Sequence, residues 1–248
     1  GGSAPCGRVT QRRPFNPPAL CPRVGAQQPG VDMSDATEAP SADAIAAMFT
    51  RATGEYLFAR WGRPIVPVVF GVDAATLATV KGAVEAVVTL AGHKMAETDP
   101  ELGANLMIFF FRDWQELLEV PNLDQMIDGL ADLVTRLDDA GANQYRVFRF
   151  DAEGAIRACF SFVRMDAALD EVPADTIALS QAVQMILLWS DRAFAERSPL
   201  AMARGVTILR PDVAGVIRAA YDPVMPAVAH DASHALRLTA RLAAGGAA

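Results

Sequence analysis

Two stretches of this chain carry side chains able to do chemistry. The first is His230-Asp231-Ala232-Ser233-His234. Histidines four apart share one face of a helix, and two neutral imidazoles there can hold one Zn²⁺. An acid directly after the first histidine has the spacing of a helical zinc hydrolase, where that acid activates water. The chemistry on offer is metal-dependent, peptidase-like hydrolysis by His230, Asp231 and His234. No histidine or glutamate follows to complete a three-ligand set, and the third histidine, His93, is far away in sequence. Without a third ligand the pair reads as solvated histidines on a helix face. No cofactor is expected other than a zinc ion at this spot.

The second stretch is Thr176 to Asp191, TIALSQAVQMILLWSD, which reads as the central helix of the domain. Gln181 and Gln184 are three apart, so one helix face presents both amides. With Ser190 and Asp191 they form the candidate ligand-binding group. The competing reading is structural, because buried amides ordinarily satisfy backbone or loop groups. A third set, Asp128, Asp132 and Asp139 with Asp138, reads as a solvated acidic helix face. No phosphate-binding glycine loop, nucleophile elbow or H-E-x-x-H element is present.

Flanking patterns predict the elements that position these groups. Ser41 N-caps a short helix through Thr50. Ile65 to Val72 is β-branched and reads as a strand, with Pro67 marking an edge or a start. Asp73 caps a helix over about 74–91 that buries Leu77, Val80, Val84, Val87 and Val88, and Gly92 stops it. Asn105 to Phe111 is apolar on both faces, as a central strand is. Helical stretches follow over 113–120 and 123–139. Tyr145–Phe150 and Ala155–Val163 form a hairpin across Gly154. The central helix spans about 175–194, and a loop runs from Ser198 to Arg210. Pro211 opens a helix to Tyr221, and a last helix covers about 227–242. The order predicts a single α+β domain over 56–242. It has a mixed sheet of about four strands packed with helices and an all-helical C-terminal part.

Composition narrows the function classes. The formal charge is −7, yet residues 1–32 hold four arginines (Arg8, Arg12, Arg13, Arg23) and one acid, Asp32. The acidic excess therefore lies in the body, which would repel phosphate backbones, so nucleic acid is not an expected partner. No apolar run has the length of a membrane span, and a soluble globular protein is expected. Cys6, Cys21 and Cys159 make no disulfide framework. Residues 1–32 are rich in Gly and Pro and lack periodicity, so they read as a disordered leader or a mis-assigned start. The stretch 33–55 is a polar segment with the short helix, and 243–248 a disordered tail. Translation from Met33 would give a cytoplasmic protein. Arg12-Arg13 is followed by Asn16-Pro17-Pro18 rather than an apolar h-region, and Cys21 follows the bulky Leu20, so neither makes a proper export signal; an exported or periplasmic protein is the alternative.

Several segments resemble one proteobacterial group, the domain of unknown function family 2927, whose members are often lipoproteins. They are WGRPIVPVVFGVD at 61–73, GANLMI at 103–108, GAIRA at 154–158 and VIRAAYDP at 216–223. The likeness spans about 56–242. It implies a zincin-like topology, in which the central helix carries a Glu-Glu-x-x-Gln element and a closing Asp. Aligned on Ser190-Asp191, the two glutamates fall on Ser180 and Gln181, the glutamine on Gln184 and the closing acid on Asp191. The resemblance therefore implies a degenerate, non-catalytic, zincin-related protein that binds a protein partner or serves as an assembly subunit.

Overall fold

The computed structural model describes residues 40–245 of the 248-residue chain. The expected leader, residues 1–32, lies outside the described residues. The expected tail does not begin at 243, because helix runs to Gly245.

The sheet is built as predicted from four strands, β2 (Pro67–Phe70), β3 (Leu106–Phe111), β4 (Gln144–Phe150) and β5 (Ile156–Arg164). Their order is β2-β3-β5-β4, with β2, β3 and β5 parallel and the edge strand β4 antiparallel. Pro67 fits because it opens β2 on an outer edge, where its missing N–H disturbs no ladder. The apolar strand β3 is central, as expected. Asn105 anchors its start. Its Oδ1 accepts from Val66 N at 2.8 Å, and its Nδ2 donates to Pro64 O at 2.8 Å and Asp99 Oδ2 at 3.0 Å. Burial pushes the Asp99 carboxyl up. Hydrogen bonds from the Glu101 and Leu102 N–H groups, Asn105 and Arg63 outweigh it and hold that carboxyl at about 2.

Alternation along the strands sorts two cores. Leu106, Ile108 and Cys159 face α2 (Ala74–Leu90) and α6 (Ala174–Ile186). Phe109, Phe111, Tyr145, Val147, Phe160 and Phe162 face a 3₁₀ turn (Trp114–Glu119) and α4 (Leu130–Asp139). Helix α8 (Ser233–Gly245) packs on both α1 (Ala42–Phe49), capped by Ser41 as predicted, and α7 (Pro211–Ala220), beside the first core. Strands β1 (Phe58–Ala59) and β8 (Val228–Ala229) pair antiparallel there. Among the described residues no helix is long and apolar enough to cross a membrane.

Several elements differ from those the sequence predicts. The helix expected over 123–139 is two helices, α3 (Leu123–Met126) and α4, because Gly129 sits at φ 69° and breaks the run. A short helix, α5 (Ala167–Asp170), had no reading in the sequence. The C-terminal part is not all-helical. Leu200–Ala203 and Val206–Leu209 form a hairpin, β6–β7, whose turn residues Arg204 and Gly205 sit at φ 52° and 78°. Two consecutive positive φ values give a tight turn whose twist suits paired strands.

A further correction concerns α6, which ends at Ile186 rather than near Phe194. Leu187 is extended and bridges Arg60, and Leu188 N donates to Ala59 O at 2.9 Å. A helix end in a core leaves carbonyls that need partners. Three aromatic donors supply them: Trp189 Nε1 to Val183 O, Trp61 Nε1 to Met185 O and Tyr221 OH to Ile186 O, each at 2.8 Å. Tyr221→Phe therefore leaves a buried carbonyl without its donor. It should lower stability by about 2 kcal/mol, read as a lower urea midpoint with an unchanged circular dichroism spectrum. An unchanged midpoint would show that the phenol hydroxyl contributes nothing there.

Candidate functional site

The amide face of α6 lies against the sheet, over the edge strand β4 and its neighbour β5. Odd positions of β5 and even positions of β4 point to α6, which brings Ser161, Gln144 and Arg146 beneath Gln181 and Gln184. Arg146 and Ser161 are register partners. Gln181 is fully buried and makes three bonds. Its Oε1 accepts from Arg146 Nη1 and from Ser161 Oγ, both at 3.0 Å, and its Nε2 donates to Gln144 Oε1 at 2.8 Å. Arg146 Nη2 donates to Gln184 Oε1, and Gln184 Nε2 donates to Ser180 Oγ at 3.0 Å. Arg146 itself is buried, while Gln184 and Ser180 are half-buried. The face packs in the core, and a guanidinium occupies its centre.

Arg146 was missed by sequence reasoning. The signal was present in Gln144-Tyr145-Arg146-Val147, where polar residues alternate with apolar ones that line the opposite core. A strand buried on both faces with a polar stripe on one of them calls for a polar partner on the facing helix. Gln181 and Gln184 are that partner.

Ser190 and Asp191 belong to a different place. They follow the helix and hold the end of α1 and the turn after it. Ser190 N donates to Met48 O at 2.8 Å, Ser190 Oγ donates to Ala47 O at 3.2 Å, and Asp191 Oδ1 accepts from Ala52 N at 3.1 Å. The four candidate ligand residues are thus two pairs with separate partners.

The histidine pair is also divided. The last helix was expected from about 227, but α8 starts at Ser233, whose N–H donates to Asp231 Oδ1 at 2.8 Å. His230 is exposed on the link between β8 and α8, so the two imidazoles share no helix face. His234 is 3% exposed, with Nδ1 at 2.8 Å from the Tyr56 hydroxyl, so it is a core residue rather than a solvated one. His93 is engaged elsewhere, its Nε2 at 2.8 Å from Arg63 O. Among the described residues, no group of three or more His, Cys, Asp or Glu is placed to hold a metal ion. The expected acidic face is split too, since Asp128 precedes Gly129 outside α4, and Asp138 pairs with Arg164 at 3.3 Å.

Electrostatically, the α6 cluster joins one cation to neutral amides and hydroxyls. It offers no group that takes a proton near neutral pH. Burial lifts the thiol of Cys159, also on β5, to about 12, so that thiol is inert as well. Neither a family model, nor a curated protein, nor a solved structure matches the chain.

Removing the guanidinium leaves Gln184 Oε1 and part of Gln181 without a donor. Arg146→Met should cost about 2 kcal/mol, measured by urea unfolding. Adding Gln184→Met should recover part of the loss, because both partners are then apolar. A single variant as stable as wild type would contradict this role for Arg146.

Proposed function

We propose that this chain is a non-catalytic, zincin-related protein that works by binding or as a subunit of an assembly. The observation that carries the reading is the place of Arg146. Its guanidinium bonds to Gln181 and Gln184, two of the positions that align with the Glu-Glu-x-x-Gln element of the family it resembles. Amides there cannot serve as a general base. A fixed positive charge against them repels a divalent cation from the same spot.

Support for an assembly role comes from the C-terminal surface. Leu236 is 62% exposed on α8 and Val224 57% exposed, and Arg237 Nη2 on the same helix donates to Val224 O at 3.2 Å, so the two apolar side chains lie on neighbouring segments. Contiguous exposed apolar surface marks contact sites, and Leu236 and Val224 are the exposed apolar residues around which such a surface would centre on this side. No feature of the geometry favours hydrolysis through His230, Asp231 and His234.

The test is turnover. Protein purified without a histidine tag should hydrolyse no member of a peptide and ester library, and Gln181→Glu should restore none. Turnover by wild type that disappears on changing Gln184 or Asp191 would overturn the reading.

A further inference from the structure

The contact between Tyr56 and His234 has no part in the α6 cluster. Tyr56 lies in the link between α1 and β1 and is 5% exposed, and His234 stands on the first turn of α8. The imidazole packs against Phe58 with ring centroids 4.3 Å apart. The Tyr56 ring meets Phe49 edge-on at 6.1 Å, and Phe49 stacks on Trp189 at 5.3 Å. His234 therefore ties α8 to an aromatic wall contributed by α1 and β1.

Its hydrogen bonding is matched to one protonation state. Nδ1 meets the phenol hydroxyl, which can donate or accept. The other nitrogen, Nε2, is buried without a hydrogen-bond partner. Either tautomer of the neutral ring leaves one nitrogen unfilled. An imidazolium has two N–H donors and a full charge, and Tyr56 accepts only one of them. The wall around it gives no compensation. α1 and β1 meet the ring pair with Phe49 and Phe58. On α8, Arg237 opposes a positive charge on His234. Ahead of the helix, the carboxylate of Asp231 acts on Tyr56 and is itself bonded to Ser233. α7 meets α8 two turns further on, where the Asp222 after it pairs with Arg241 at 3.2 Å. Charging a buried imidazole with no second acceptor is costly.

We propose that the Tyr56–His234 contact is an acid-sensitive latch: it holds α8 against α1 and β1 while His234 is neutral and releases the helix when His234 takes a proton. Release exposes the apolar face around Phe58, Ala235 and Leu238, all buried in the docked form. Burial first, and then Arg237, hold the docked imidazole down at about 4, against an ordinary value of 6.5. The sign follows from linkage. A depressed histidine stabilises the docked form fully above the free value. That stability declines as pH falls from there toward the docked value. Between pH 7.5 and 4 the docking equilibrium should fall by about a hundredfold.

The test is a pH titration of the full chain by NMR, following the imidazole of His234 and the amides of 233–245. Wild type should keep His234 neutral below pH 6 and then lose the docked α8 signals as the ring charges, while β2 to β5 keep theirs. His234→Gln, which cannot titrate, should keep α8 docked over the same range. Tyr56→Phe removes the one partner of the neutral ring and should move release to higher pH, so the idea stays testable if the glutamine variant does not fold. The latch is refuted if α8 stays docked with His234 charged, if Tyr56→Phe releases at the wild-type pH, or if His234→Gln releases there too.

Discussion

The guanidinium of Arg146 decides what α6 can be. It reaches from the edge strand β4 to two side chains of α6, and it converts a row of amides into a closed hydrogen-bonded unit. An amide face of this kind is otherwise open to a ligand or to water. Here the amides bond to Arg146, Ser161, Gln144 and Ser180 inside the protein, and the cation at the centre sets the sign of the local potential. The sheet order, with β4 antiparallel at the rim, brings Arg146 to that point.

The same helix obeys a second constraint at its C-terminal end. Carbonyls of Val183, Met185 and Ile186 face donors from Trp189, Trp61 and Tyr221. Trp61 precedes β2, Tyr221 follows α7 and Trp189 follows α6 itself. Two distant parts of the chain and the segment just after α6 are therefore fixed in relation to one carbonyl cluster. Tyr221 lies in the VIRAAYDP segment, and its hydroxyl does structural work that the sequence pattern could not assign.

Local chemistry made much of the fold legible. Ser41 and Asp73 cap the helices they precede, Pro67 opens an edge strand, Pro211 sits at the first turn of α7, and β3 is the central apolar strand. Misreadings arose where tertiary contacts overrode local pattern. Leu187-Leu188-Trp189 continues an apolar helical run, yet strand-like bonding to Ala59 and Arg60 ends the helix. Ala227-Val228-Ala229 reads as helix and pairs instead with Phe58–Ala59. In the candidate site, Gln181 and Gln184 were legible and Arg146 was not. Its partner role depends on which strand lies under α6, and that is a property of the fold rather than of spacing.

The central claim is that a protein cation, Arg146, fills the polar face of α6. A crystal structure of the chain grown with millimolar zinc tests it most directly. The account predicts Arg146 bonded to Gln181 and Gln184 as here, with no metal density between α6 and β4. A zinc ion coordinated at Ser180, Gln181 or Gln184, with Arg146 displaced, would contradict it.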